Sequence, residues 1–143
     1  MKFTALESYA AATGMTVEVT AEEQNSDYES GLATIDGNTW HIRTARTTPT
    51  KPGGFVAFWH RGADGQTQPF DQSDRAAGLL VFIEQTEERG LFTFTRDHLD
   101  ELGITSGTRA GKRGFRVYPE WCTGLNRQAA ATQRAQARAF QRY

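Results

Sequence analysis

The 143 residues include one cysteine, four prolines and two methionines, and 16 Lys+Arg stand against 17 Asp+Glu for a formal charge of −1. The lone thiol, Cys122, has no internal disulfide partner, and no cysteine cluster is present to build a zinc site. Beside Trp121 it reads as a small packing residue rather than a nucleophile. No apolar run approaches the roughly 20 residues of a spanning helix, which argues against an integral helical membrane protein. Met1 to Tyr9 holds one base, one acid and no unbroken apolar core, so a secretory signal is not expected and the cytoplasm is the expected location. Several catalytic signatures are also missing. There is no Gly-x-Ser-x-Gly elbow. Gly107-x-x-x-Gly111-Lys112 is one residue short of a P-loop and lacks its Ser/Thr. His41, His60 and His98 stand apart, without metal-ligand spacing. No metal and no cofactor are expected.

What is present suits one globular domain over residues 1–143, with 38% hydrophobic and 11% aromatic residues. Thr4-x-x-Glu7 has the form of a capping box and opens a helix ending near Gly14. Met15 to Thr20 alternates as an extended segment, and residues 21–30 are polar and loop-like. Gly31 to Ile35 and Thr39 to Arg46 flank Asp36-Gly37-Asn38, a hairpin signal. Thr47 to Gly54, with two prolines and two glycines, reads as a loop. Phe55 to Trp59 and Leu79 to Ile83 are apolar on both faces and read as central strands. Leu91 to Thr95 follows a turn at Arg89-Gly90, Thr95 caps a short helix stopped by Gly103, and Gly107 to Gly114 is a basic loop. Phe115 to Tyr118 is a short strand, and the pattern from Asn126 to the end is helical. The expected class is α/β in the α+β sense: a mixed, largely antiparallel sheet of about six strands with three flanking helices.

Counted by segment, the near-zero charge becomes a cancellation of blocks. Residues 1–42 carry −6, 43–61 carry +4, 62–104 carry −6 and 105–143 carry +7. Acid-free basic segments mark a polyanion site if they meet in space. The same blocks also suit solvated faces that pair with the acidic ones. In the first basic segment, alternation sets Trp40 and Ile42 on one face and His41 and Arg43 on the other. Arg43, Arg46, Lys51 and the hydroxyl of Thr48 are donors suited to phosphate oxygens, with Arg61 completing the block. A charged sheet edge that blocks strand addition would look alike. In the second, Lys112, Arg113 and Arg116 sit among glycines that let backbone N–H groups approach an anion, or that make a flexible basic turn. Trp40, Trp59 and Tyr118 are available to stack on bases. Arg127, Arg134, Arg138 and Arg142 fall near one face of the expected last helix and could meet an acidic protein partner, a polyanion or the chain's own acids. Glu29, His41 and Tyr28, in and beyond Asp27-Tyr28-Glu29, are candidate catalytic groups, with Glu29 expected near Arg43 and Arg46.

Two long motifs carry a family resemblance. Arg43-x-Ala45-Arg46-x-Thr48-Pro49-x-Lys51-x-Gly53-x-Phe55-Val56-x-x-Trp59-x-Arg61, followed by Gly111-Lys112-Arg113-Gly114-Phe115-Arg116-Val117-Tyr118-Pro119-x-Trp121, resembles the MepB family of small bacterial proteins. The resemblance runs from about Glu29 to the last helix. It implies a core similar to restriction-endonuclease-like proteins, with nucleic acid, single-stranded DNA or RNA or another phosphate-rich ligand, as partner. Its gene neighbourhood, with an efflux pump and a repressor, implies a link to drug-resistance or stress regulation and leaves a protein-interaction role open. Restriction-like nucleases hold magnesium with clustered carboxylates, whereas the matching strand positions here read Arg43-Thr44-Ala45-Arg46 and Trp59-His60-Arg61, with Glu29 as a candidate match to the helix acid and Asp36 at the hairpin tip. The resemblance therefore implies a binding protein without the metal site. The alternative is a metal-free hydrolase of phosphodiesters or esters, working through His41, Tyr28 or Lys51.

Overall fold

The structure, a computed structural model, describes residues 3–22 and 28–143. The elements run α1 (Thr4–Thr13), β1 (Glu18–Ala21), β2 (Gly31–Ile35), β3 (Asn38–Thr44), β4 (Arg46–Thr48), β5 (Lys51–Ala57), β6 (His60–Arg61), β7 (Thr67–Gln68), β8 (Gly78–Gln85), β9 (Glu88–Thr95), α2 (Arg96–Glu101), β10 (Gly114–Val117), α3 (Arg127–Gln136), a 3-10 turn (Ala137–Ala139) and β11 (Phe140–Arg142). Six strands form one sheet in the order β1-β2-β3-β8-β9-β11, antiparallel except where β3 runs parallel to β8. A parallel pair needs a crossover. Here the crossover contains β4 and β5, which β10 later joins to complete a second sheet, β10-β5-β4, and the small β6-β7 hairpin. The expected mixed, largely antiparallel class with three helices is what the chain adopts. No helix among the described residues is long and apolar enough to cross a membrane.

Strand β8 explains the layering. Leu79, Val81 and Ile83 join Val56, Phe92, Phe94, Phe115 and Val117 in a core between the two sheets. Leu80 and Phe82 point the other way, against Phe3, Leu6 and Ile42 beneath α1. A strand buried on both faces must be apolar at every position, which is the run seen from Leu79 to Ile83. The same logic fixes β3: Ile42 lies under α1, so His41 and Arg43 face the second sheet.

Four local expectations need correction. Thr4 is already the first helical residue and makes no side-chain cap; Phe3 precedes it and is buried in the core, so packing sets the start of α1. Residues 47–54 are not a loop. Thr48 opposes Lys51 across a two-residue turn, and Lys51 to Gly54 already belong to β5. The β8–β9 turn lies at Thr86-Glu87, with Thr86 at a φ of 57°, so Arg89 and Gly90 are paired strand residues. Helix α3 stops at Gln136, and the chain returns as β11 on the edge of β9. By contrast Thr95 caps α2 through its side chain as its sequence position indicates, and Asn126 does the same for α3. Of the expected loop at 21–30, Ala21 belongs to β1 and residues 23–27 lie outside the described residues.

Gly53 couples the β4–β5 hairpin to β10. Its φ is 71°, and a Cβ there would collide with the carbonyl oxygen of Val117. Gly53→Ala is expected to cost about 1–3 kcal/mol, read as a lower urea midpoint; an unchanged midpoint would show that this approach relaxes freely.

Candidate nucleic-acid interface

Arg43 does not reach the surface. Its exposure is 0%. Nη1 donates to Glu22 Oε1 at 2.8 Å and to the Ile42 carbonyl at 2.8 Å, while Nε donates to the Ala57 carbonyl at 3.2 Å. Its guanidinium also lies 5.1 Å from the Phe58 ring centre. His41 is held between two carboxylates, Nδ1 at 2.9 Å from Glu22 Oε1 and Nε2 at 2.7 Å from Asp74 Oδ2. Phe58 and Phe70 stack at 4.3 Å beside it. His41 and Arg43 share one face of β3, as alternation predicts. That face is covered by the second sheet, so Arg43 is a strut inside the molecule rather than part of an exposed cationic face.

Burial pushes Glu22 up, but hydrogen bonds from His41 and Arg43 outweigh it and leave the carboxyl below 4.5. Burial likewise pushes Asp74 up, and the His41 bond outweighs it, leaving Asp74 below 3.8. For His41, burial lowers the value, and the bonds to Asp74 and Glu22 reverse this to above 6.5. The raised His41 value stabilises the fold fully below 6.5, and that contribution is lost as pH rises through the folded value. The lowered carboxyls stabilise it above their ordinary values, and that is lost as pH falls through their folded ones. The cluster therefore contributes most between 4.5 and 6.5.

The three catalytic candidates do not share a site. The Glu29 carboxylate lies 3.4 Å from the Ala5 amide at the start of α1, where an acid suits the helix N-terminus, and Glu22 rather than Glu29 is the partner of Arg43. Tyr28 stands edge-on to Phe55 at 6.5 Å, with the Arg46 guanidinium 6.0 Å from its ring. His41 borders a cavity of only about 10 Å³, room for one water. Asp27 lies outside the described residues. Among the described residues no group of three or more His, Cys, Asp or Glu is placed to hold a metal ion.

The outer face of β10-β5-β4 is different. Register sets Arg46 opposite Phe55 and Phe55 opposite Arg116, so the three form one row across the sheet. Neighbours in such a row are spaced by about 5 Å. Phe55 is the one large hydrophobic side chain among the described residues that is exposed, at 37%. Gly114, two residues before Arg116 on β10, leaves room for the Phe55 ring, which a Cβ there would strike. Around the row lies an open groove of about 500 Å³, lined also by Tyr28, Thr47, Thr48, Thr50 and Lys51. Arg116 Nη2 donates to the Pro52 carbonyl at 3.0 Å, which aims it at the hairpin. The two basic motifs thus meet at Arg116.

A second groove, about 570 Å³, runs between β10 and α3 and is lined by Lys112, Arg116 and Tyr118. Arg113, Arg61 and Trp59 line neither. Arg113 reaches Thr67 Oγ1 at 3.4 Å, and Arg61 bonds the Gly65 carbonyl at 2.8 Å and lies 5.5 Å from the Trp59 ring. The four-arginine helix face is also not formed. Arg138 pairs with Glu101 at 2.6 Å, and Arg142, in β11, pairs with Glu120 at 2.6 Å and with Glu88. Arg127 and Arg134 alone remain on α3. Past Gln136 the chain tightens into the 3-10 turn and leaves as β11, while the buried Gln136 side chain accepts from the Tyr118 amide at 3.0 Å and donates to the Arg116 carbonyl at 2.8 Å.

Sequence reasoning missed Phe55, Glu22, Asp74 and Gln136. A signal for Phe55 existed: with Gly54 and Val56 both on the core side of β5, the residue between them must face out. Arg43→Ala is expected to lower stability by about 3–5 kcal/mol, because it strands the buried Glu22 charge. In urea titrations the stability gap between the native chain and His41→Asn should shrink as pH rises above 6.5; a gap that widens would refute the charged cluster.

The MepB-like family model matches residues 22–142. The crystal structure of MepB is similar at 32% identity and a TM-score of 0.86, over 99% of this chain and 97% of that one. No curated protein matches.

Proposed function

The chain belongs to the MepB-like family, and we propose that it binds nucleic acid, as single-stranded DNA or RNA, on the outer face of the β10-β5-β4 sheet. The observation that carries this reading is the row Arg46–Phe55–Arg116. An aromatic face exposed between two guanidinium groups offers a base a stacking platform and its flanking phosphates charge-assisted hydrogen bonds. Lys51, Thr48 and Thr50 add donors along the hairpin, and Tyr28 adds a second ring. A duplex buries its base faces, so a stacking platform favours unpaired strands.

The finer form of the reading is a non-catalytic relative of restriction-like nucleases. Its support is chemical: the carboxylates beside β3, Glu22 and Asp74, are engaged by Arg43 and His41 instead of offering open oxygens to a hard cation. A hydrolase would need its candidates to converge on a substrate-sized cavity. Glu29, His41 and Tyr28 do not.

Filter binding with labelled single-stranded DNA and RNA across a salt series tests the proposal. Affinity should fall steeply with salt. Arg46→Ala and Arg116→Ala should each weaken binding and flatten the slope by about one phosphate contact. Phe55→Ala should cost about 1–3 kcal/mol while leaving the slope alone. Absence of binding at low salt, or a Phe55→Ala variant that binds as well as the native chain, would overturn it.

A further inference from the structure

We propose that the groove between α3 and β10 is a base-holding compartment that gives the bound strand its sequence preference. The inference rests on the reading above and goes further, because it assigns a second site and a different task. Arg116 lines both grooves, so a strand seated on Phe55 continues past Arg116 into the second.

The two walls of that compartment differ in chemistry. Lys112 supplies positive charge from the β10 side, and Arg116 lines it there while its guanidinium reaches toward Pro52 in the hairpin. The α3 side presents Gln128, Ala131, Thr132 and Ala135 and no cation; Arg127 and Arg134 line it nowhere. Glu101, at its margin, is held by Arg138. A phosphate therefore belongs on the Lys112–Arg116 wall, and the uncharged wall takes what the strand carries opposite its phosphates, a base. Alanine side chains let a flat ring approach closely. The wall itself is rigid, because the Gln136 amide ties α3 to β10 through the Arg116 carbonyl and the Tyr118 amide, and His98 Nε2 lies 2.8 Å from the Ala135 carbonyl.

Two lining groups suit readout. Among the described residues neither the Gln128 side-chain amide nor the Tyr118 hydroxyl has a hydrogen-bond partner. An amide with donor and acceptor can match one base edge and mismatch another, whereas the Phe55 ring stacks on any base. The first groove thus sets affinity, and the second sets base preference.

The test is fluorescence anisotropy of the full chain with labelled dA, dC and dT homo-oligonucleotides at one low salt concentration. Native protein, Gln128→Ala, Tyr118→Phe and Arg46→Ala are compared. The expected result is a native preference between the tightest and weakest homopolymer that falls by about fivefold in Gln128→Ala or Tyr118→Phe, with the salt slope kept. Arg46→Ala should weaken all three oligonucleotides alike. Equal native affinities, or a preference unchanged in both groove variants, would overturn the compartment while leaving binding on the Phe55 row intact. Failure to bind any oligonucleotide would remove the proposed function itself. Competition by polyglutamate that matches the oligonucleotides and depends on Gln128 would overturn the compartment in favour of an acidic peptide site.

Discussion

A guanidinium with no exposure to water has to be matched inside the protein, and the architecture forms around that requirement at Arg43. Glu22 supplies the charge, the Ile42 and Ala57 carbonyls take further donors, and Phe58 covers the remaining face. Glu22 shares its carboxylate with His41, and His41 extends the chain to Asp74. Four charged groups thereby connect the end of β1, the middle of β3 and the segment before β8. A buried charge whose partner is missing is far more costly than one that was never buried, so this arrangement is specific about what must lie beside β3.

The second sheet follows from that constraint. The Ala57 carbonyl comes from β5, so the strut ties the large sheet to the layer above it. Gly54, Val56, Phe115 and Val117 fill the space between, and Gln85 adds a clamp by donating to the Gly53 carbonyl and accepting from Trp121. Once β5 is pinned on its inner side, the outer side chains of β4, β5 and β10 have no choice of direction. Arg46, Phe55 and Arg116 come into line because their inward neighbours are in the core.

This arrangement divides the basic residues by task. Arg43 stabilises, Arg138 and Arg142 close internal ion pairs, and Arg61 and Arg113 brace the β6–β7 region. The basic residues that line the two grooves, Arg46, Lys51, Lys112 and Arg116, are fewer than the charge blocks suggest, but they are contiguous. A chain of nearly zero net charge can attract a polyanion only where positive groups are gathered, since screening limits each group's reach to about 10 Å.

Much of this was legible from residues alone. The doubly apolar run at β8, the Asp36-Gly37 hairpin, the Thr95 cap and the meeting of motif and charge are local features, encoded within a few neighbouring side chains. The sequence by itself determined which face each strand residue occupies, because alternation has a period of two whatever the surroundings. It could not say which faces would be covered. Prolines and glycines at 49–54 signal a loop unless β10, distant in the chain, supplies a partner for the strand they begin. Arginines spaced by four signal a helix face unless the chain leaves the helix to pair with a distant strand. Whether Arg43 meets solvent or Glu22, and whether Phe55 is core or platform, depends on a sheet assembled from one hairpin and a strand distant in the chain. Only the tertiary structure decided these points, since burial is a property of what packs against a residue and not of the residue itself.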